Sequence, residues 1–560
     1  MEGCVELLVG FTVLRSLIFE DEHLLVANKP AGLNTHAPSP YAGEGLYDWL
    51  RHRETRWAHL AIIHRLDKET SGVMVFGKTP LANRSLTAQF TARSVRKKYL
   101  LLTDRPVRQS HFKVKSALVR AGERYVSRPV HSGGETAETR FREGGRKNAE
   151  CRSGDWCRVI EAEPLTGRTH QIRVHAAESG IPILGDTLYG GTVAPRVYLH
   201  AAELTLEHPA SGEELTLRAP TGEDWVEACE RQACPLPSLA LREALIEPDL
   251  TNACRVIHGV SDGWPGWYVE RLGEYLLSQS AQALSPAERE GLRRLAVMFS
   301  ARGVYHKVLT RQVRRSARAE ACPHLVLGEG APERFVVREN GLQFELSFTE
   351  GYSTGLFLDQ RDNRRRLLTR HVASDFSLPA PAIGNGQWEL LNVFAYTCGF
   401  SVCAAKAGAR ATSLDLSRRW LDWGKRNFAL NQLEPAGHDF IYGEAFDWLR
   451  RLARQGRRFD VIVLDPPTFS QSKESGVFQA EKDYGRLVTA ALPLLRGTGA
   501  MFASTNAADW RPEDFLAEVD KAIHEAKRKV VQRHYFPQPP DFPISRAEPA
   551  HLKTVWLRVE

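Results

Sequence analysis

The chain has 560 residues, 43% hydrophobic and 25% charged, with 74 Lys and Arg against 67 Asp and Glu for a net charge of +7. That composition excludes a disordered or collagen-like chain, and at roughly 100–200 residues per domain it predicts about three to five domains or subdomains. The mild basic excess permits a nucleic-acid partner without requiring one, because an ordinary solvated surface carries the same imbalance.

The nine cysteines contain no CxxC pair and no spacing suited to zinc. A reducing, cytoplasmic setting without a metal is therefore expected. The apolar start over 5–19 carries Glu2 and Glu6 where a leader would be basic and is broken by Arg15. It reads as buried strands rather than a leader, and no stretch reaches the length of a membrane span.

In chain order, short apolar runs separated by turns fill 1–232, with helices predicted over Leu46–Arg53 and 79–93. This is an α+β pattern dominated by antiparallel β. Prolines at 235 and 237 mark a linker over 233–250. Residues 251–348 form a second short-strand region with one helix over 286–300, read as a small central α+β domain. From 349 to 560 strands alternate with helices: strands at 389–394, 411–415 and 459–465, helices at 401–407 and 418–431. That alternation predicts a parallel, doubly wound sheet.

The N-terminal region places Asp67 in a polar loop, His64-Arg65-Leu66-Asp67-Lys68-Glu69-Thr70-Ser71-Gly72, ahead of an apolar strand. A carboxylate held this way can act as a nucleophile or a general base. Taken alone, the same Asp is equally a turn residue bonding its own backbone. A second polar, basic stretch runs from Thr166 through Arg168, His170 and Arg173 to His175 and leads to Asp186. With Asn28-Lys29-Pro30-Ala31-Gly32, Lys98-Tyr99 and Leu199-His200-Ala201, these segments closely resemble the RluA family of pseudouridine synthases over nearly the whole first region. The resemblance implies a catalytic Asp67 acting on the ribose–uracil linkage, by attack on the sugar or by removal of a ribose proton. It implies that Arg173 pairs with Asp67 and keeps it ionised, since an adjacent cation lowers a carboxylate pKa. Tyr99 would stack on the uracil and help remove the proton from the new attachment carbon. Arg65 would fill the space of the flipped nucleotide, which must leave its stack to be reached. His64 and His170 read as structural hydrogen-bonders, and no cofactor is implied for this half.

The C-terminal region has the parts of a nucleotide-type site: a tight turn after one strand, from Phe394 through Tyr396, Thr397, Gly399 and Phe400 to Ser401, and an acid, Asp415, about twenty residues on. GxGxxG is absent, which argues against a nicotinamide site. Asp465-Pro466-Pro467-Thr468-Phe469 follows an apolar strand, where a loop leaving a sheet can aim a carboxylate and a backbone carbonyl at a nitrogen. These motifs resemble class I methyltransferases, and more closely the RlmI/RlmK group of ribosomal RNA methyltransferases, from about residue 251 onward. The resemblance implies an α/β Rossmann-like fold, S-adenosyl-L-methionine as cofactor, a catalytic Asp465 with Lys473, and a covering motif over 348–361 that includes Gln360. Phe394, Tyr396, Thr397, Gly399, Phe400, Ser401, Asp415, Glu444, Asp465 and Pro466 would line the cofactor site. Cys398 stands where the group usually has Gly and is expected to crowd the methionine part of the cofactor. Glu444 stands where an Asp usually meets the adenine amino group.

Two basic runs, Arg93–Lys98 and Arg361–Arg366, are expected to neutralise phosphates. Methylation of cytosine carbon 5 needs a covalent nucleophile, normally Cys, and no cysteine follows Cys403. A guanine ring nitrogen needs only positioning, so 7-methylguanosine is the preferred product and an exocyclic amine the runner-up. The sequence thus reads as a bifunctional RNA-modification enzyme acting on large-subunit rRNA, with tRNA as the other candidate and no membrane or obligate protein partner. The alternative is an active synthase carrying an inactive, RNA-binding methyltransferase-like domain.

Overall fold

The computed structural model describes residues 14–144, 157–222, 224–225, 228, 239–309, 322–351, 353–380, 387–472 and 476–560. Lys473 and the residues expected to form the centre of the linker lie outside these. The chain divides into two compact units, one of residues 1–35 and 60–249, the other of residues 36–59 and 250–560. The contiguous first region read from the sequence is therefore interrupted: residues 36–59, with helix α1 (Leu46–Arg53), belong to the second unit.

The first unit is built on one mixed sheet. Its strands are β1 (Leu17–Glu20), β2 (Leu24–Lys29), β3 (Ala61–Ile62), β4 (Ser71–Gly77), β5 (Arg96–Thr103), β6 (His111–Ala121), β7 (Arg124–Arg128), β8 (Glu135–Glu143), β9 (Arg158–Pro164), β10 (Leu199–Glu207) and β11 (Glu214–Arg218). Their order is β1-β2-β4-β10-β5-β9-β8-β6-β7, with β11 on β10 and β3 on β4. All pairings are antiparallel except β4 with β10. Helix α2 (Pro80–Ala92) begins with Thr79 accepting the Ala82 N–H and Pro at its first position, a standard N-terminal pairing of cap and proline. Ala82 and Leu86 of α2 pack on Val26, Val73, Val75 and Leu204. Helix α3 (Gln171–Glu178) lays Ile172 and Ala176 on Leu101, Phe141 and Ile160. A short helix α4 (Ala240–Leu245) closes the unit.

The second unit opens with a five-stranded sheet, β12 (Ala253–His258), β13 (Trp267–Leu272), β14 (Tyr275–Ser280), β15 (Gly303–Val308) and β16 (His324–Gly328), in sequential order. β14 and β15 are parallel, so the connection crosses over, through helix α5 (Pro286–Met298) with a Ser285/Glu288 capping box. A hairpin of β17 (Phe335–Glu339) and β18 (Leu342–Leu346) follows, then α6 (Arg361–Thr369) and a small pair, β19 (His371–Ala373) and β20 (Phe376–Ser377). One hydrophobic cluster joins Ala253, Tyr275 and Phe344 to Leu390, Phe502 and Trp556. The hairpin and one face of the central sheet therefore share a core with the sheet that follows.

The remainder is a seven-stranded sheet. Strands β21 (Trp388–Val393), β22 (Ala409–Asp415), β23 (Asp439–Tyr442), β24 (Phe459–Leu464) and β27 (Leu495–Thr505) are parallel, and β28 (Val530–Pro537) and β29 (Lys553–Val559) complete it, in the order β23-β22-β21-β24-β27-β29-β28. Helices α7 (Gly399–Lys406), α8 (Arg418–Leu430), α9 (Ala445–Arg454), α10 (Ala480–Ala491) and α11 (Pro512–Glu525) connect its strands, and a hairpin of β25 (Phe469–Ser472) and β26 (Gly476–Gln479) follows β24. β24 is buried on nearly every residue, as a strand covered on both faces must be. Strand order reverses between β21 and β24, and ligands of such sheets bind at the carboxyl ends of the strands there. No helix among the described residues is long and apolar enough to cross a membrane.

Candidate active sites

In the first unit the sheet itself brings the predicted residues together. β10 lies between β4 and β5, with His200 opposite both Ser71 and Leu100, and Ala201 opposite both Gly72 and Tyr99. The loop carrying Asp67 runs straight into β4, so it ends one strand away from Tyr99, whose hydroxyl feels the Asp67 charge. Gly72 makes the crossing possible: its φ is +119°, and a Cβ there would sit 2.2 Å from the Ala201 carbonyl oxygen.

The backbone on both sides of Asp67 is clasped by residues 29–35. Thr35 Oγ1 donates to the Leu66 carbonyl at 2.9 Å and accepts the Leu66 N–H at 3.1 Å. On the other side the Lys68 carbonyl accepts the Gly32 N–H at 2.8 Å and Lys29 Nζ at 3.3 Å. Lys29 is fully buried and also donates to Leu33 O (2.7 Å) and Pro30 O (2.9 Å), so its three protons meet three acceptors. Burial pulls its ammonium down to about 7, against the opposing pull of Glu69 and Asp67. The sequence flagged Lys29 within a motif but assigned it no part.

Arg173 departs from expectation. Its guanidinium is forked onto Asp186, 2.7 and 2.8 Å from the two carboxylate oxygens, and approaches Glu69 at 3.5 Å. Among the described residues no ion pair joins Arg173 to Asp67. A buried guanidinium takes the partner whose two oxygens match its fork, and Asp186 supplies it. Asp67 feels Arg173 only at longer range: burial raises its carboxyl, and the charges of His170 first and Arg173 second oppose that rise. Tyr99 is pushed well up, by burial and then by Asp67, so its hydroxyl keeps its proton. Arg65 is exposed. His64 accepts the Val75 N–H at 3.1 Å and stacks on Phe90, a structural part as expected.

In the second unit the turn after β21 carries three non-glycine residues in the left-handed region: Phe394 (φ 63°), Tyr396 (φ 49°) and Cys398 (φ 64°). Three such residues in five cost energy that the surroundings must offset, a pattern that clusters at binding sites. The offsets are visible. Asp415 at the end of β22 accepts the Tyr396 N–H at 2.8 Å and the Ser417 N–H at 2.9 Å. Thr397 donates to the Gly355 carbonyl at 2.6 Å, and its own carbonyl accepts Asn427 Nδ2 at 2.9 Å. Ser401 is fully buried and spends its hydroxyl on Asn392 and Ser413, so its side chain supports the turn rather than lining it. Phe400 is likewise buried, against Phe502. Glu444 caps α9 by accepting the Asp447 N–H at 2.9 Å through Oε2.

Asp465 stands where β24 leaves the sheet, followed by a buried Pro466. Gln360 Nε2 donates to Asp465 Oδ1 at 3.2 Å and to Ser504 Oγ at 2.7 Å, while Asn363 Nδ2 steadies the Gln360 carbonyl oxygen at 2.9 Å. Tyr484, fully buried, ties the ends of β24 and β27 beneath it: its hydroxyl is 3.0 Å from Leu464 O and accepts the Ser504 N–H at 2.7 Å. Burial pushes the Asp465 carboxyl up to about 6; hydrogen bonds from Ser504 and Gln360 resist, and the charge of Asp359 adds to the rise.

The family profile described as S-adenosylmethionine-dependent methyltransferase matches residues 255–558. The chain belongs to this methyltransferase family. The profile described as RNA pseudouridylate synthase matches residues 23–178, so a pseudouridine synthase domain precedes the methyltransferase domain. A ribosomal RNA large subunit methyltransferase of Deinococcus radiodurans is 33% identical over 335 residues, covering 58% of this chain and 77% of the relative. Ribosomal RNA large subunit methyltransferase I of Yersinia pseudotuberculosis is 31% identical over 315 residues, covering 56% and 75%. For the other half, ribosomal large subunit pseudouridine synthase C of Yersinia pestis is 40% identical over 218 residues, 36% of this chain; the chain spans 65% of that synthase's length.

The methyltransferase domain takes S-adenosylmethionine, and the residues at the β21–β22 end suit it. Asp415 is partly exposed and accepts the Tyr396 N–H through Oδ2 and the Ser417 N–H through Oδ1, as a fixed acceptor at the end of its strand. The crowding expected from Cys398 does not arise. Its side chain is fully buried and turned into α8, where Gly424 makes room: a Cβ on Gly424 would lie 2.3 Å from Cys398 Sγ. The basic run on α6 also differs from expectation. Arg361 is forked onto Asp541 (2.7 and 2.8 Å), Arg364 onto Glu339 (2.6 and 2.7 Å), Arg365 pairs with Glu54, and Arg366 lies over Phe536 and 3.6 Å from Glu44. Packed on several sides, α6 spends these arginines inside the unit and presents no phosphate-binding row.

Proposed function

We propose that the chain modifies large-subunit ribosomal RNA twice, converting a uridine to pseudouridine at Asp67 and methylating a guanine N7 in the second unit. The substrate class is drawn from the relatives on both halves, one named for large-subunit ribosomal RNA and the other for the ribosomal large subunit. The observation that carries the first activity is the clasp on Leu66 and Lys68, which holds Asp67 on a fixed backbone. At that carboxylate the N1–C1′ bond of the nucleoside breaks and a C5–C1′ bond forms; C5 loses a proton and N1 regains one. Arg65 is free to follow the flipped nucleotide.

For the second activity, bound S-adenosylmethionine supplies an electrophilic methyl group. The residues contribute position. Asp415 and the turn at 394–399 orient the cofactor, and Asp465, aligned by Gln360, accepts N–H groups on the base edge. Guanine N7 carries an in-plane lone pair and no proton, so no base is needed. The buried positions of Cys398 and Cys403 support an acceptor other than cytosine carbon 5, since neither thiol is placed to attack a base. The same packing of Cys398 favours an active methyltransferase over an inactive RNA-binding domain.

The test incubates the purified protein with unmodified large-subunit rRNA and S-adenosylmethionine, then separates and weighs the nucleosides. Pseudouridine with 7-methylguanosine is expected. Asp67→Asn should lose pseudouridine alone, by at least about a thousandfold. Retained pseudouridine in that variant, or 5-methylcytidine as the methylated product, would refute the corresponding assignment.

A further inference from the structure

Asp465 takes a hydrogen bond from a side chain that has two faces. An amide can present either its NH2 group or its oxygen, and only the NH2 group suits a carboxylate. Gln360 Nε2 donates to Asp465 Oδ1 at 3.2 Å and to Ser504 Oγ at 2.7 Å, while its oxygen is held the other way, accepting Asn363 Nδ2 at 2.9 Å. Asn363, one turn further along α6, has the same two faces. Its oxygen meets two groups that can only donate, the Trp556 indole N–H at 3.1 Å and Arg366 Nη1 at 3.3 Å. Donor-only groups at the far end thus fix the sense of both amides, and with it the N–H that Gln360 gives to Asp465.

Arg366 is itself buried, over the Phe536 ring at 3.5 Å, and a guanidinium taken out of water needs a counter-charge. Among the described residues its one ion-pair partner is Glu44, whose Oε2 lies 3.6 Å from Nη2. The Glu44 side chain is only 10% exposed, and its other oxygen is 2.5 Å from His52 Nδ1 of α1. Helix α1 is seated on α6 at the same place, where the Trp49 indole donates to Asp362 Oδ2 at 3.2 Å. An unbroken series of polar contacts therefore runs within the second unit from Glu44 through Arg366, Asn363 and Gln360 to Asp465. In the sequence Glu44 lies elsewhere: the methyltransferase profile matches residues 255–558, whereas residue 44 falls in the stretch 23–178 matched by the synthase profile.

We propose that Glu44 is a positioning residue of the methyltransferase, holding Arg366 so that Gln360 stays turned with its N–H toward Asp465, and that methyl transfer in this chain depends on a segment carried inside the synthase sequence. Burial works against the Arg366 charge, and Glu44 first and Asp362 second support it. At the other end of the series, burial raises the Asp465 carboxyl and the charge of Asp359 adds to the rise, while Ser504, Arg364 and Gln360 oppose it. The inference rests on the reading of Asp465 as the carboxylate that meets the base.

The test follows single-turnover methyl transfer from labelled S-adenosylmethionine to unmodified large-subunit rRNA against pH, for the full chain and for Glu44→Gln, Gln360→Met, the double variant and Asp465→Asn. Pseudouridine formation and calorimetric S-adenosylmethionine affinity, measured on the same preparations, report intact protein, and for Glu44→Gln both should stay within about threefold of wild type. Its methyl-transfer rate should fall about 3–10-fold, the size of effect usual for a residue that acts through others. Its acid limb should move to higher pH, because an N–H turned away from Asp465 no longer favours the ionised form. Gln360→Met should move the limb the same way by more. In the double variant Glu44→Gln should add nothing to Gln360→Met, since it acts through that amide. Arg366→Lys, which keeps the cation and gives up the fork, takes the place of Glu44→Gln in the same comparison if that protein does not bind the cofactor. Rate losses that multiply in the double variant, a loss with the acid limb unmoved, or a wild-type profile overturns the inference. Undiminished methyl transfer in Asp465→Asn would instead overturn the reading of Asp465 itself.

Discussion

The packing of Cys398 against Gly424 yields a prediction that follows from geometry alone. Gly424→Ala places a methyl 2.3 Å from Cys398 Sγ and 2.9 Å from its Cβ, distances that force one of them to move. Overpacking of this kind costs about 1–3 kcal/mol, and Ala in a helix interior returns about 1 kcal/mol relative to Gly. The single variant should therefore be destabilised by about 0–2 kcal/mol. Since the thiol has no room, the shift falls on the turn at 394–399, and affinity for S-adenosylmethionine should drop at least about tenfold, as for other misplacements near 1 Å. Cys398→Gly relieves a left-handed residue, worth about 1–2 kcal/mol, and loses a small buried group worth about 1 kcal/mol, so it should be nearly neutral. In the double variant the new methyl occupies the space that the thiol vacates. Stability and affinity should return to wild type or better, with a coupling of about 1–3 kcal/mol. Urea denaturation and titration calorimetry on the four proteins measure both quantities. Effects that add within about 0.5 kcal/mol, or a Gly424→Ala protein that binds S-adenosylmethionine normally, would refute the claim that this pair keeps the cofactor turn open.

Two further outcomes are expected. Because burial lifts the Asp465 carboxyl to about 6 and its ionised form is the one that accepts N–H groups, methyl transfer should fall about tenfold per pH unit below about 6 and level off above it; Asp465→Asn should abolish the limb with the activity, and a flat profile between pH 5 and 7 would contradict the assignment. Trp49→Ala removes a side chain 2% exposed, its indole N–H bond to Asp362 Oδ2 at 3.2 Å and the ring beneath Arg53; it should cost the second unit about 3–5 kcal/mol, seen by calorimetry in the transition that S-adenosylmethionine raises, and an unchanged transition would contradict the placement of residues 36–59 in that unit.

Local structure was largely legible in advance. The helix over Leu46–Arg53 has its bounds as read, and the strands at 388–393, 409–415 and 459–464 lie within two residues of expectation. These elements announce themselves by period, cap and apolar run, all of which are local properties. What resisted was the choice of partner. Arg173, Arg361 and Arg364 each read as a cation available to a functional anion, yet each is forked onto a carboxylate distant in sequence. Cys398 read as an intrusion because the glycine that accommodates it lies twenty-six residues later, on α8. Lys29 and Thr35 carried a signal only in hindsight: a Lys inside an apolar strand end must find acceptors.

By itself the sequence determined the two chemistries and their order along the chain, because motifs of this kind are contiguous runs whose residue types the chemistry dictates. Only the tertiary structure decided which charges face the reacting groups and which are consumed by the fold. A buried guanidinium or thiol is satisfied by whatever the packing brings within about 3–4 Å, and sequence distance carries no record of that approach. The same reason placed residues 36–59 with the second unit: an amphipathic helix shows that it has an apolar face, and the surface that covers this face is settled only when the whole chain has folded.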